Sequence, residues 1–389
     1  MPLRFHHYVC RKGREKMRSV IGIIFGNTRS DLLQGLTQER PIAAVPFGGK
    51  FRLLDFALSS LVNSGIRTVG LITPQHYRSV LDHTGAGKDW YLDRKSGGLF
   101  VLPGANHGLI SEQSQFLIKD IALNIEFLEK DVSENVVITN CNQVYNINYR
   151  DAINFHEKKQ ADITMLYKKS DQSSDLEGRM VLALDEGQTV QALVEKEGKE
   201  DPASIQPYFI DMFIIRRKLL LELIRGYKPI DTIDLQEAIR DNINLLKVYA
   251  FRTNAYIGRI RSIADYFNRN MDLLNPEISE ELLQSKNRLY TKVRDKPPTF
   301  YSSSANVRDS LLTCECLLDG EVEHSILSRG VVVKPGAKVK NSILMQKCVI
   351  AENAVLENVI LDKFVEVKEG NVLKGSRNNP LVISKKSMI

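Results

Sequence analysis

The sequence predicts an α/β domain with a mostly parallel sheet, followed by a left-handed parallel β-helix, and three observations carry that reading. Residues 19–73 run strand, loop, helix, strand. Strand and helix patterns alternate as far as residue 251. Beyond a Pro-rich connector at Asp295-Lys296-Pro297-Pro298 the helical patterns stop and a six-residue apolar period begins.

The first strand is 19–25 (SVIGIIF), a β-rich run ahead of a polar turn. Residues 51–64 carry Leu54, Ala57, Leu58 and Leu61 at helical spacing, and Gly65 closes that helix. Another buried-strand pattern follows at 68–73 (TVGLIT). A βαβ unit of this kind places helices on the faces of a parallel sheet. Downstream, 116–130 reads as a helix and 135–139 (NVVIT) as an uninterrupted strand. Residues 161–167 and 207–215 read as strands, 218–225 and 234–241 as helices, and 246–251 as a strand. Open α/β sheets bind ligands beyond the carboxyl ends of their strands, so the segments after Phe25, Thr73 and Thr139 are where chemistry is expected.

In the last third, every sixth residue from Val331 is apolar: Val331, Ala337, Ile343, Val349, Val355, Leu361 and Val367. One inward side chain from each side of a triangular prism produces that period, so all seven are expected to point inward. The domain reading is a basic leader at 1–16, an α/β domain at 17–290, a linker at 291–300 and the β-helix with its tail at 301–389.

Charge and composition narrow the function. The chain holds 53 basic and 47 acidic residues, and +4 of the resulting +6 lies in residues 1–16. The remainder is nearly balanced, without the clustered Lys/Arg face of a nucleic-acid binder. No apolar run approaches the roughly 18–20 residues that span a bilayer. The leader lacks the apolar core of a secretory signal, so a cytoplasmic protein without membrane contact is expected. Met17 precedes the first strand, which leaves two readings of the leader: an upstream translation start or disordered arm, and a functional arm. Five scattered cysteines (Cys10, Cys141, Cys314, Cys316, Cys348) lack zinc-site spacing and read as free thiols, with Cys314 and Cys316 expected on one face of a strand.

The segment 23–73 carries FGGKFRLLDF (47–56) and NSG (63–65), followed by WYLDR (90–94) and GG-x-x-VLP (97–103). Later come NMDLLNP (270–276) and YTKVRDKPPT (290–299), ahead of the hexad tail. Together these motifs cover most of residues 18–370 and resemble the bacterial glucose-1-phosphate adenylyltransferases, which make the glucosyl donor for glycogen from ATP and glucose 1-phosphate. The resemblance implies a Rossmann-like nucleotidyltransferase domain ahead of the β-helix.

Against that family, this sequence departs at the positions that carry chemistry. Active members open with GGxGTRL, whose backbone N–H groups approach phosphate and whose arginine steadies the transferring phosphoryl. Here those positions hold Gly26-Asn27-Thr28-Arg29-Ser30-Asp31-Leu32, so Asp31 stands where the arginine belongs. Asn27 is expected to keep the left-handed turn that a glycine would make. The family's GDH, whose aspartate holds Mg²⁺, is replaced by Cys141-Asn142-Gln143, and the second metal-linked aspartate by Arg259. The nucleotide-side GTADA segment has become Phe116-Leu117-Ile118-Lys119-Asp120. Glu195-Lys196 match the sugar-phosphate EK pair, with ordinary surface charges as the competing reading, and the next motif has become Phe209-Ile210-Asp211-Met212. Arg40 matches an effector-site arginine, although Ile42 replaces the neighbouring lysine and Glu39 takes a place that is often basic. Lys50 and Arg52 are candidates for an effector or anion site, with helix-start and packing roles standing beside that.

The resemblance therefore implies a retained scaffold without catalytic residues, like the noncatalytic D-type subunit of Gram-positive bacteria. A catalytic partner subunit in a heterotetramer, Mg²⁺ in that partner and none here, and at most weak ATP or sugar-phosphate binding follow as expectations. Two alternatives stay open. One is an active pyrophosphorylase with unconventional ligands. The other is a structural homo-oligomer that binds sugar nucleotide, or a hexapeptide acyltransferase; for the latter the repeat region offers only His324, at its edge.

Overall fold

The computed structural model describes residues 19–28, 31–74, 77–104, 115–196, 204–227 and 233–389, leaving aside the side chains of Asp31, Leu32, Gln34 and Ser174. Its first domain is built on a nine-stranded sheet. In chain order the strands are β1 (Val20–Phe25), β2 (Thr68–Thr73), β3 (Gly98–Pro103), β4 (Asn135–Asn140), β5 (Ile163–Ser170), β6 (Met180–Leu184), β7 (Val190–Glu195), β8 (Gln206–Arg216) and β9 (Val248–Arg252). They lie in the order β7-β6-β8-β4-β1-β2-β3, with β5 and β9 continuing from β8 on its other side. β4, β1, β2 and β3 are parallel neighbours, and β9 is parallel to β5, whereas β8 and β7 run against the rest.

Alternation of side chains explains why these strands read as continuous apolar runs. Ile21, Ile23 and Phe25 of β1 enter one buried cluster with helices Arg217–Tyr227 and Leu235–Asp241. Val20 and Ile24 enter the other, against helix Leu53–Asn63 through Leu54, Ala57, Leu58 and Leu61. Both faces are covered, as a largely parallel sheet requires. Gly22 permits the close approach of that helix, because a Cβ there would lie 2.7 Å from a methyl of Leu61.

The helix expected at 116–130 is broken into Ile118–Ala122 and Ile125–Glu129. At the break, Asn124 Nδ2 donates to the carbonyls of Asp120 and Pro103, each at 2.8 Å. Its side chain takes the i−4 acceptor that a continuing helix would have used.

In the second domain three parallel sheets of five short strands each form the left-handed β-helix, beginning at Phe300–Tyr301 and ending at Leu381–Ile383. Pairing of Val333 with Ile350, and of Ile350 with Val367, sets a coil of 17 residues through the middle of the prism, between a step of 15 where Leu318 pairs with Val333 and one of 22 where Ile360 pairs with Val382. The strict six-residue reading therefore needs correction. Inward positions follow 333, 339, 344, 350, 356 and 361, with one step of five per coil at a corner. Val331, Ala337, Leu361 and Val367 are in the prism core as expected. Ile343 is buried but faces the first domain, while Val349 and Val355 are half-buried on the outside. The short corner is a ladder of left-handed residues, His324 (φ 46°), Asn341 (φ 45°) and Asn358 (φ 54°), in which Asn341 Nδ2 donates to Asn358 Oδ1. His324 thus turns a corner of the prism. The two cysteines expected on one strand face also separate: Cys316 lies in the prism core and half-buried Cys314 precedes the strand.

Each sheet of the prism has a different outer face. On one, Glu321–Lys338, Glu323–Lys340 and Glu357–Lys374 pair across neighbouring strands at 3.3–3.5 Å. Another presents Ile343 and Ile360 to Phe47, Phe56 and Tyr266 of the first domain. At the edge of this seam Arg40 Nη2 pairs with Asp362 Oδ2, both side chains buried.

Two stability predictions follow from this geometry. Ile350→Asp, which buries a carboxylate in the prism, should cost several kcal/mol, whereas Val349→Asp one residue away should cost only about 1 kcal/mol; thermal melts of the two variants check the 17-residue register. Asp362→Ala leaves the Arg40 guanidinium buried without its partner and should cost about 3–5 kcal/mol, most of it recovered in an Arg40→Leu/Asp362→Leu double variant. Chemical denaturation of the three proteins measures the difference.

Candidate functional site

The loop after β1 is pinned at its root. Gly26 N donates to Ile72 O at 2.8 Å, and a Cβ at Gly26 would lie 2.9 Å from that same oxygen, so only glycine fits. Asn27 does not adopt the left-handed turn expected of it. It is buried, and its Nδ2 donates to the buried Asp120 Oδ2 at 2.6 Å. Thr28 Oγ1 is buried next in sequence. Arg29 and Ser30 lie outside the described residues; Asp31 opens the 3-10 turn Asp31–Leu36, with its side chain outside the description.

At the end of β4, Asn140 and Asn142 both direct their Nδ2 at Gln115 Oε1, at 2.7 and 3.4 Å. Gln143 Nε2 donates to Ile210 O at 3.0 Å. Amides thus line this floor. Cys141 between them is fully buried, and burial pushes its thiol far above the usual range, so it stays protonated.

Antiparallel pairing of Ile257–Arg259 with Gln143–Tyr145 puts Arg259 opposite Gln143, and Ile260 N donates to Asn142 O at 2.7 Å. The two positions where the sequence lacks expected carboxylates, Asn142 and Arg259, are therefore neighbours in space. Arg259 Nη1 donates to Gly178 O at 2.8 Å and Glu177 O at 3.3 Å, and its Nε lies 3.9 Å from Asp211 Oδ2. Burial, only partly opposed by Asp211, lowers the Arg259 pKa to about 10, so the group remains a cation at neutral pH. Mg²⁺ takes one or two carboxylates plus phosphate oxygens. A neutral amide beside a buried guanidinium does not fit that ion, and among the described residues no group of three His, Cys, Asp or Glu assembles elsewhere as a metal site.

Glu195 and Lys196 are half-buried at the end of β7, where Lys196 N donates to Arg179 O at 3.3 Å. A cavity of about 90 Å³ nearby is lined by Arg179, Arg259, Arg261 and Arg269 together with Asp175, Glu177 and Asp265.

The three effector candidates divide. Arg40 is committed to Asp362. Lys50 and Arg52 instead line a cleft of about 300 Å³ between the domains, with Lys292, Arg294 and Lys296 from the connecting segment and Arg329 from the β-helix. Glu315 meets Lys296 at 3.3 Å, and His83 Nε2 is 2.6 Å from Asp55 Oδ1. Burial, with Arg40 and Arg294 nearby, lowers Arg52 to about 10, and its Nη1 donates to Ser79 O. Beside these, Lys363 is lowered to about 7 by burial and by the charges of Arg52 and Arg40. So many cations with so few carboxylates make the cleft an anion site in waiting. Sequence reading missed Lys292, Arg294 and Lys296, although their alternate spacing in YTKVRDKPPT places three cations on one side of an extended segment. Arg329 and Lys363 had no local signal.

Comparison with known proteins agrees with this architecture. A nucleotidyl transferase family model matches residues 21–266, and a GlmU-like C-terminal hexapeptide model matches 297–377. The chain is 32% identical to the glycogen biosynthesis protein GlgD of Bacillus subtilis, over 94% of this chain and 96% of that protein. It is 34% identical to GlgD of Geobacillus stearothermophilus over the same shares. With a glucose-1-phosphate adenylyltransferase of Bacillus cytotoxicus it shares 29% identity over 95% of this chain and 98% of that one. With both domains matched and relatives aligned along nearly their whole length, the chain belongs to the nucleotidyl transferases, in the glucose-1-phosphate adenylyltransferase and GlgD family.

Proposed function

We propose that this chain acts in glycogen biosynthesis as a regulatory, largely noncatalytic subunit of glucose-1-phosphate adenylyltransferase, assembled in the cytoplasm with a catalytic homologue as a heterotetramer. The observation that carries this reading is the adjacency of Asn142 and Arg259, an amide and a buried cation where the reaction needs a metal ion. Mg²⁺ and the phosphoryl chemistry then belong to the partner. This chain contributes its scaffold, and at most weak binding of ATP or sugar phosphate. The basic cleft at the domain seam supports regulation, because an anionic metabolite held by Lys50, Arg52, Lys292, Arg294, Lys296 and Arg329 would touch both domains at once. A ligand can alter a partner's catalysis only by favouring one conformational state over another, and a cleft between two domains is a place where that difference arises.

Purified alone, the chain should turn over ATP and glucose 1-phosphate with Mg²⁺ at least 10³-fold more slowly than a catalytic homologue. Asn142→Asp alone should not restore activity, since Arg259 still opposes a metal ion. Turnover at rates normal for active homologues, in either protein, would falsify the noncatalytic assignment. Co-expression with an intact homologue should yield a mixed oligomer whose kcat/KM or effector response differs from that of the homologue alone; chains that do not co-purify, or kinetics that do not change, would point to a homo-oligomer instead.

Lys363, on which the charges of Arg52 and Arg40 act, gives the domain seam a pH signature. Its ordinary value is 10.5 and its folded value about 7, so between these limits the unfolded chain holds a proton that the folded chain has released. Stability from this group is lowest below pH 7 and grows as pH rises toward 10.5. Lys363→Met should therefore be more stable than the parent at pH 7, by a margin that narrows at pH 9. Melting both proteins at the two pH values checks this.

A further inference from the structure

Three separate stretches of chain meet at the turn Glu177-Gly178-Arg179. From one side, Arg259 Nη1 donates to Gly178 O at 2.8 Å and Glu177 O at 3.3 Å, while Arg261 Nη1 donates to Glu177 O at 2.9 Å. Arg261 Nη2 also lies 3.2 Å from Glu177 Oε2, and Asp265 stands 3.9 Å from its Nε. From the other side, buried Arg179 stacks on Tyr208 at 5.1 Å and donates to Phe209 O at 3.3 Å. Asp211, the residue facing Arg259 Nε, sits in the irregularity of β8, where pairing with β5 shifts between Phe209 and Phe213. Its φ of +59° is one that glycine adopts freely and aspartate seldom does.

These contacts are charge-assisted and depend on each other. Guanidinium donors on backbone carbonyls are roughly twice as strong as neutral hydrogen bonds. Asp211 is 3% exposed, so removing Arg259 would take away the guanidinium that faces its buried carboxylate. The turn they fasten leads directly into the β6–β7 hairpin, at whose end Glu195 and Lys196 lie. Beside the turn lies the cavity of about 90 Å³.

We propose that Arg259 and Arg261 form a strap that holds the turn 177–179, and with it the β6–β7 hairpin, in one position, so that the chain's own side chains fix the shape of this side of the molecule. The strap deepens the regulatory reading and rests on it for its purpose. A neighbour docked on a subunit with a single conformation is biased toward whichever of its own states fits that shape.

Hydrogen exchange on the full chain tests the strap without reference to activity. The double variant Arg259→Gln/Asp211→Asn removes both charges together and leaves no lone buried ion. In it, amides of residues 177–196 should exchange at least tenfold faster than in the parent, with those of the β-helix unchanged. Arg261→Gln, on a partly exposed side chain, should give a smaller increase in the same residues and serves if the double variant does not fold. Unchanged exchange at 177–196 in either folded variant overturns the strap. The second arm mixes each folded variant with a catalytic homologue. Retained co-purification with at least half of the kinetic effect lost supports transmission through the strap; a full effect despite faster exchange overturns that transmission. If the parent chain itself has no kinetic effect on the homologue, the regulatory reading falls while the exchange result still decides the strap.

Discussion

The placement of one face of the β-helix against the α/β domain is the constraint on which the rest of the molecule depends. Ile343 and Ile360 reach across to Phe47, Phe56 and Tyr266, and the buried Arg40–Asp362 pair fixes the edge of that contact. Apolar burial supplies the favourable term, while the ion pair supplies direction, since either partner left alone would be costly in the same dry place. Because the seam is fixed, Arg329 on the prism and Lys50 and Arg52 beside helix Leu53–Asn63 can share one cleft. The connecting segment adds its three cations by running along that seam.

The sheet and its loops show how amides and a guanidinium can be seated at the strand ends without disturbing the fold. Carboxylates at strand ends are expensive to keep close together unless an ion joins them. Amides and a guanidinium bond to their neighbours through their N–H groups instead: Asn140 and Asn142 meet on Gln115, Asn27 reaches Asp120, and Arg259 takes two main-chain carbonyls, while Asn140 Oδ1 and Asn142 Oδ1 accept no hydrogen bond from the described residues. The replacement side chains therefore act as internal mortar. Strand order, both buried clusters and the crossing of helix Leu53–Asn63 over β1 do not rely on any of them.

Much of the fold was legible because it depends on near-neighbour patterns. Uninterrupted apolar strands, helical spacing in 51–64 and a recurring apolar position in the tail each report a local period, and the structure places strands or helices at each. The reading failed where a single polar side chain overrode the pattern, as Asn124 does in breaking the 116–130 helix. It also failed where a period of nearly six was taken as six, which turned Val349 and Val355 the wrong way. For the site, the sequence names the side chains at Asn142 and Arg259, but not that Arg259 would bind the 177–178 turn, more than eighty residues earlier in the chain. Arg40 and Asp362, 322 residues apart, form a pair that no local reading could supply. Lys363 was missed for the same reason, since its environment is made by side chains from the other domain.

The 17-residue coil carries a consequence for how this half of the molecule can change length. The middle rungs repeat the same corner, with left-handed residues stacked at His324, Asn341 and Asn358, whereas Leu318 pairs with Val333 after 15 residues and Ile360 with Val382 after 22. Changes of length are thereby confined to the corners: strand register survives a rung two residues shorter and a step five residues longer than the common 17. Even a whole rung has a fixed place. Added beyond Leu381–Ile383 it would lengthen the free end, whereas added between Ile343 and Asp362 it would carry Asp362 one rung away from Arg40 and slide every later rung along the seam.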